Sequence, residues 1–266
     1  MRTLRRARLR GIGIALAVVT TAATLSAETL TENFDQSYPV KPGAHLVLSN
    51  ENGSIHLSSW ERPSVRIRAE KVIKAHGDAA RDAMKELKIE VTPKDGGLVV
   101  ETRRPHGSGG GFLDWLSGSN VDYEVRYEVT VPSSFDVQVE TVNGRVEAKD
   151  LSGELKFETT NGSIEVANLA GSVSAQTTNG SIHAELRQIS GAKPMRFHTT
   201  NGRIHVALPE GYRGEVDAGT TNGAISTDFP ITSTNFSRTR LEGTINGGGP
   251  LLELKTTNGG ITIAKR

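Results

Sequence analysis

The dipeptide Asn-Gly returns along this chain at an almost even spacing, and nothing else in the sequence limits the fold as strongly. It stands at Asn143, Asn161, Asn179, Asn201, Asn222, Asn246 and Asn258, in steps of 18, 18, 22, 21, 24 and 12 residues, with one earlier copy at Asn52. Five copies follow Thr-Thr, and the fullest form reads Thr-Thr-Asn-Gly-Ser-Ile. A fixed period of about 20 residues marks a repeat architecture, in which each unit is too small to bury its own apolar face and must stack on its neighbours.

Aligned on Asn-Gly, like residues fall into columns. Before the turn, Val137, Leu155, Val173, Met195 and Val216 form one apolar column, and Val139, Phe157, Ala175, Phe197 and Ala218 form a second. After it come Val146, Ile164, Ile182, Ile204, Ile225 and Ile261, then Ala148, Val166, Ala184, Val206 and Ile263. Polar residues separate them, so each unit is two period-two strands joined at Asn-Gly. That dipeptide between alternating runs is also the strongest short hairpin signal, which would give an antiparallel meander. In a meander, however, equivalent residues never meet. In a β-solenoid they lie one above another about 4.8 Å apart, where Asn and Thr bond up the stack and Ile side chains nest. The likeness of the units therefore points to an all-β chain, a β-solenoid (β-helix or β-roll) of stacked coils of 18–24 residues. Asn143, Asn161, Asn179, Asn201, Asn222 and Asn258 are the expected turn ladder, with Asn161, Asn179, Asn201 and Asn222 beneath Thr159, Thr177, Thr199 and Thr220. Each glycine after Asn is expected to take a positive φ at the corner, with the Asn tolerating the left-handed region beside it.

Residues 1–27 read as a secretory signal peptide. They hold five Arg, a short apolar run from Ile12 to Ala23, and Leu25-Ser26-Ala27 ending in a small residue. An uncleaved anchor is the other reading. Removal takes away five of 31 basic residues and none of 30 acidic ones, turning a formal charge of +1 into −4. That argues against a nucleic-acid partner, which needs a concentrated basic face. No later apolar stretch approaches membrane-spanning length. With no Cys, an exported chain is held by its core and backbone ladders, and no lipidated Cys anchors it. The expected location is the periplasm, cell surface or extracellular space, and the expected organisation is a single domain over 28–266. Within it, 28–132 hold strands, a helix and a Gly-rich loop, and 133–266 hold the regular repeats.

In the N-terminal part, Phe34 to Lys41 is polar and expected to be an irregular lead-in. His45 to Leu57 repeats the strand, Asn-Gly, strand pattern as a first rung, and Ser64 to Lys71 alternates as a half-buried strand. Between Ala75 and Leu87, Ala80, Ala83, Met84 and Leu87 recur at helical spacing behind Asp78, giving one short amphipathic helix suited to covering an end of the core. Ile89–Thr92 and Leu98–Thr102 suggest a hairpin, and a strand runs from Val121 to Val131, where Pro132 ends it. Gly-Ser arms from Gly107 to Ser119 carry an apolar tip, Phe112, Leu113, Trp115 and Leu116, that reads either as an interaction tip or as a cap folded onto the solenoid.

Leu48-Ser49-Asn50-Glu51-Asn52-Gly53-Ser54-Ile55, the strand from Asp122-Tyr123-Glu124 to Val131-Pro132, and the Thr-Asn-Gly-Ser-Ile repeats together resemble a family of exported bacterial proteins described as candidate adhesins. The resemblance covers almost the whole chain beyond residue 27. It implies a β-solenoid-like domain at the cell envelope with no assigned activity and no catalytic residues, so no functional position carries over.

The outward column Glu147, Glu165, His183, His205 and Ser226, with His56 in the early unit, brings Glu165, His183 and His205 within reach of one divalent ion. An exposed ladder lacks the outer partners that orient metal ligands, so the column reads as a solvated face and no metal, cofactor or catalytic residue is assigned. A carbohydrate-active β-helix enzyme would need paired carboxylates about 5 to 9 Å apart in a groove. Glu140 with Glu158 and Glu147 with Glu165 are the stacked pairs, and a soluble charged face accounts for them equally well. Gly247-Gly248-Gly249 lacks the following Lys and helix start of a phosphate loop. The expected function is an exported, non-enzymatic module of structural or adhesion type whose partner is a cell-surface glycan or an envelope protein. The alternatives are the carbohydrate-active enzyme and an envelope-stress accessory that docks on a membrane partner through the Phe112–Leu116 tip. No feature sets an oligomeric state.

Overall fold

The alternating columns form two stacks of strands that share one apolar interior. A computed structural model describes residues 28–75, 78–94, 96–104, 121–189 and 193–266. The segment 1–27 and the tip at Phe112, Leu113, Trp115 and Leu116 lie outside the described residues. On the first face, the strands leading into the corner pair in parallel and in register, Asn143 with Asn161, Asn161 with Asn179, and Asn179 with Asn201. On the second face, the strands leaving it do the same through Val146, Ile164, Ile182 and Ile204. His45–Ser49 and Ile55–Trp60 add an earlier coil, parallel to Asp136–Asn143 and Val146–Lys149. The chain is all-β apart from one helix among the described residues, and its fold is β-solenoid-like.

The columns meet inside. Leu155, Phe157, Ile164, Ile182, Phe197 and Ile204 are at most 1% exposed. Burying each such side chain stabilises the stack by about 1.5–3 kcal/mol.

The order of the stack departs from the order of the sequence. Met195–Asn201 pairs with Leu251–Asn258, which pairs on its other side with Gly214–Asn222. The second face follows, with Ile261–Lys265 between Ile204–Leu208 and Ile225–Thr227. The last coil of the sequence is thus inserted between two earlier ones. Ile231–Phe236 and Arg240–Ile245 form an antiparallel hairpin, and Arg240–Ile245 lies antiparallel along Gly214–Asn222. The hairpin covers the edge that would otherwise end the stack unpaired. The chain then turns at Asn246 and re-enters the gap. Asn246, although followed by Gly, belongs to this turn and not to the coil corners.

The lead-in is not irregular. Glu28–Pro39 is a 12-residue strand, antiparallel to Ser64–Ala75, which is antiparallel to Asp122–Pro132. Leu30, Phe34 and Tyr38 pack against the core. Glu32 and Gln36 fall between them and hide the period, and Glu32 is held by an ion pair to the largely buried Lys71 (2.5 Å). The helix Asp78–Glu86 buries Ala80, Ala83 and Met84 over the strands Glu28–Pro39 and Ser64–Ala75. Lys71 Nζ donates to the carbonyl of Leu87 (3.1 Å), one of the acceptors that a helix end leaves open. Lys88–Lys94 and Gly97–Arg103 complete this end as an antiparallel pair, with Gly97–Arg103 parallel to His45–Ser49.

Candidate functional site

Three kinds of side chain make the shared corner. The Asn amides form one chain of hydrogen bonds in a single direction. Each Nδ2 donates to the Oδ1 of the coil before it: Asn143 to Asn52, Asn161 to Asn143, Asn179 to Asn161 and Asn201 to Asn179, all 2.8 Å. Asn258 then donates to Asn201 (2.7 Å) and Asn222 to Asn258 (2.8 Å). Asn258 therefore stands between Asn201 and Asn222.

Beside the ladder runs a buried Thr column. Thr159, Thr177, Thr199, Thr256 and Thr220 each donate Oγ1 to the corner glycine carbonyl of the preceding coil, at 2.8–3.1 Å. The column ends on Thr141, whose buried hydroxyl has no partner. The carbonyl it would use, Gly53 O, accepts instead from Asn50 Nδ2 (3.4 Å), which also reaches Val125 O (3.0 Å). Thr102 Oγ1 donates to Asn50 Oδ1 (2.9 Å), so the Tyr127 hydroxyl donates to Thr102 (2.7 Å). Burial pushes that phenol up to about 12.

The corner glycines serve a purpose other than the expected one. Of the seven, only Gly53 (φ 122°) and Gly259 (157°) have a positive φ. Among the described residues, the left-handed non-glycine residues are Asp150, Asn168 and Asn246, none of them on the ladder. What requires glycine is the closeness of the next coil. A Cβ on Gly144, Gly162 or Gly180 would lie 2.0 Å from the carbonyl oxygen of the glycine beneath it.

Outside the second face, the register lines up Glu128, His56, Glu147, Glu165, His183, His205, Thr262 and Ser226. His183 and His205 stack with ring centroids 4.7 Å apart and planes 3° from parallel. Burial first and the neighbouring His183 second hold His205 below the ordinary histidine value. Glu147 accepts from His56 (3.1 Å), and Arg145 reaches both Glu147 (3.4 Å) and Glu165 (3.5 Å). That stacked carboxylate pair is thus bridged by a guanidinium. Glu140 takes a hydrogen bond from Gln138 (2.7 Å) and Glu158 pairs with Lys156 (3.0 Å). Among the described residues, no three or more His, Cys, Asp or Glu converge as metal ligands, and no helix is long and apolar enough to cross a membrane.

The column's N-terminal end opens on a groove of about 430 Å³ that includes Asp35, His56, Arg68, Glu70, Arg126 and Glu128, with half-buried Phe34 at its side. Arg68 pairs with Glu128 (3.0 Å), Arg126 with Glu70 (3.0 Å) and Glu124 (2.8 Å), and Asp35 with Arg66 (2.5 Å). The Arg66 guanidinium holds the Asp35 carboxyl below the usual carboxylate range. The sequence shows these charges only as alternation along single strands. Their pairing comes from the antiparallel register of Ser64–Ala75 with Asp122–Pro132, which brings Arg68 to Glu128 and Glu70 to Arg126.

A family profile described as Toastrack DUF4097 matches residues 44–264. Among solved structures, the chain is similar to a candidate cell adhesion protein from Clostridium sporogenes at 12% identity, covering 88% of this chain and 100% of that one with a TM-score of 0.41. It is also similar to a candidate adhesin from Bacteroides fragilis at 11% identity, covering 88% and 97% with a TM-score of 0.39. No functionally curated protein matches the chain.

Proposed function

The chain belongs to the Toastrack DUF4097 family, and from that premise we propose that it is an exported, non-enzymatic surface module of structural or adhesion type. In this reading residues 1–27 direct export, and 28–266 act as one domain whose stacked coils are held by the Asn ladder. The module works in the periplasm or at the cell surface, without nucleic acid as a partner.

The observation that carries the reading is the groove of alternating guanidinium and carboxylate groups on the second face. Arg68, Glu70, Arg126 and Glu128 are each fixed by a cross-strand partner. Together they offer donors and acceptors at set positions without needing to be ordered on binding, a cost that otherwise weakens association. Such a surface suits a ligand rich in hydroxyl groups, and a cell-surface glycan is the favoured partner over an envelope protein.

The experiment is a glycan array with the purified domain, followed by Arg126→Glu. Wild type is expected to retain a glycan without releasing any sugar product, and the variant to lose it while unfolding at an unchanged temperature. Retention of neither a glycan nor an envelope component would contradict the adhesion reading. Release of a sugar product that depends on Glu147 or Glu165 would replace it with the enzyme.

A further inference from the structure

The chain holds eight Asn-Gly pairs, and this dipeptide has an intrinsic reactivity. The backbone nitrogen of the glycine, once deprotonated, attacks Cγ of the Asn side chain. A C–N bond forms, the Cγ–Nδ2 bond breaks, and ammonia leaves. Water then opens the resulting five-membered imide at either carbonyl, giving aspartate or isoaspartate. Water is the only co-reactant, and glycine favours the attack because it has no Cβ to shield the nitrogen.

Sequence alone makes the eight sites equivalent, and the fold separates them. In six, the attacking nitrogen is already committed. Gly53, Gly144, Gly162, Gly180, Gly202 and Gly259 donate their N–H to the Asn carbonyl of the next coil at 2.9–3.1 Å. Among the described residues, only the amides of Gly223 and Gly247 in this set make no hydrogen bond. Asn222 caps the ladder, with Nδ2 bonded to Asn258 (2.8 Å) and Gly223 packed so that a Cβ would lie 1.9 Å from the Gly259 carbonyl. Its side chain cannot swing back onto its own backbone without opening that corner.

At Asn246 the side-chain amide is also bonded, to Tyr212 O (2.7 Å) and Glu210 O (3.4 Å), but Gly247 is packed against no neighbouring coil. Asn246 is exposed, lies in a turn with φ 50°, and precedes three glycines of positive φ. The Arg213 guanidinium lies beside Gly247, its Nη2 3.2 Å from where a Cβ would project, so a cation flanks the glycine whose nitrogen must lose its proton. We propose that Asn246 is a site of spontaneous imide-forming deamidation, and that the ladder protects the six pairs whose glycine amides it ties. The change has a structural consequence. Asn246 Nδ2 donates to Tyr212 O (2.7 Å) and joins the loop after Ile204–Leu208 to the end of the capping hairpin. A carboxylate there has no proton to donate and faces that carbonyl instead.

The test is to hold the intact folded protein at mildly alkaline pH, with a urea-unfolded sample beside it, and to follow all eight sites by peptide-mapped mass spectrometry with isoaspartate detection. In the folded protein Asn246 is expected to react about fivefold faster than the six tied sites, the protection that the one hydrogen bond on each tied glycine amide supplies at ordinary strength. In the unfolded sample the eight rates should converge. Asn246→Gln should abolish the early product, and Arg213→Gln should slow its appearance in a protein that remains folded by circular dichroism. Reaction first at any other site, equal rates in the folded state, or an unreactive Asn246 in the folded protein while the unfolded chain reacts would each overturn the proposal.

Discussion

Each coil turns twice, and the two corners are built on opposite terms. At the first corner every coil from Asn143 onward in the stack places the same residues, Thr, Asn and Gly, directly against those of the next. At the second corner the coils differ. Asp150 and Asn168 take left-handed conformations (φ 60° and 57°), joined by a hydrogen bond from Asn168 Nδ2 to Asp150 Oδ1, and Gly153 and Gly171 follow with φ of 139° and 106°. Later coils lengthen there: the step from Asn179 to Asn201 is 22 residues where the two before it are 18, and the extra residues fall between Gln188 and Met195. Sequence repetition marks where the chain meets a copy of itself at van der Waals distance. Variation marks where the chain is free to lengthen, bend and, at Asn246, reverse into the stack. The charged groove likewise lies where the repeat gives way to antiparallel strands.

The sharpest contrast between the corners is Gly180→Ala against Gly211→Ala. At Gly180 the new methyl would sit 2.0 Å from the Gly162 carbonyl, whereas at Gly211 it meets nothing within 4 Å. We expect the first to destabilise by about 3 kcal/mol or more, the upper end of overpacking costs, and the second to be neutral or slightly stabilising. Urea midpoints measure both, and equal midpoints would mean that close approach is not what selects glycine at the first corner.

Next in size is the amide ladder. Asn179→Leu removes the bonds to Asn161 and Asn201 and should cost about 1–2 kcal/mol, while outward Gln176→Ala should stay within about 0.5 kcal/mol. Equal melting temperatures would remove the ladder from the account.

A smaller effect separates two positions of the Thr column. Thr177→Val loses the bond to Gly162 O and should cost about 1 kcal/mol, whereas Thr141→Val removes a buried hydroxyl that has no partner and should be neutral or stabilising.

The smallest effect is a pH dependence on the outward column. Because His205 binds a proton less readily in the folded state than in the unfolded chain, its contribution is intact above the ordinary value of 6.5 and is lost as pH falls through the lowered folded value. His205→Gln should flatten that part of a stability-against-pH curve, and an unchanged slope would assign it elsewhere.

Much of this was legible in advance, and its limits follow from the repeat itself. Period two placed Phe157, Ile164 and Phe197 inside, and their equivalence across units argued for stacking over hairpins. The order of the coils was not legible, because units that carry the same Thr, Asn and Ile fit one another equally well in any order. Only the hairpin at 231–245, which covers the coil at 214–227, forces the final coil into the gap. Glycine after Asn suggests backbone freedom, its commonest use, whereas the structure requires it for lack of space. At the groove, Arg68 and Glu70 were visible as alternating charges, but their partners Glu128 and Arg126 lie 56 or more residues away and follow only from the register.

The order of the stack is the point on which the rest depends. With the Asn side chains assigned, nuclear Overhauser contacts between their amide protons read it directly. The structure predicts contacts from Asn201 to Asn258 and from Asn258 to Asn222, and none from Asn201 to Asn222. A direct contact between Asn201 and Asn222, with Asn258 outside the pair, would contradict it.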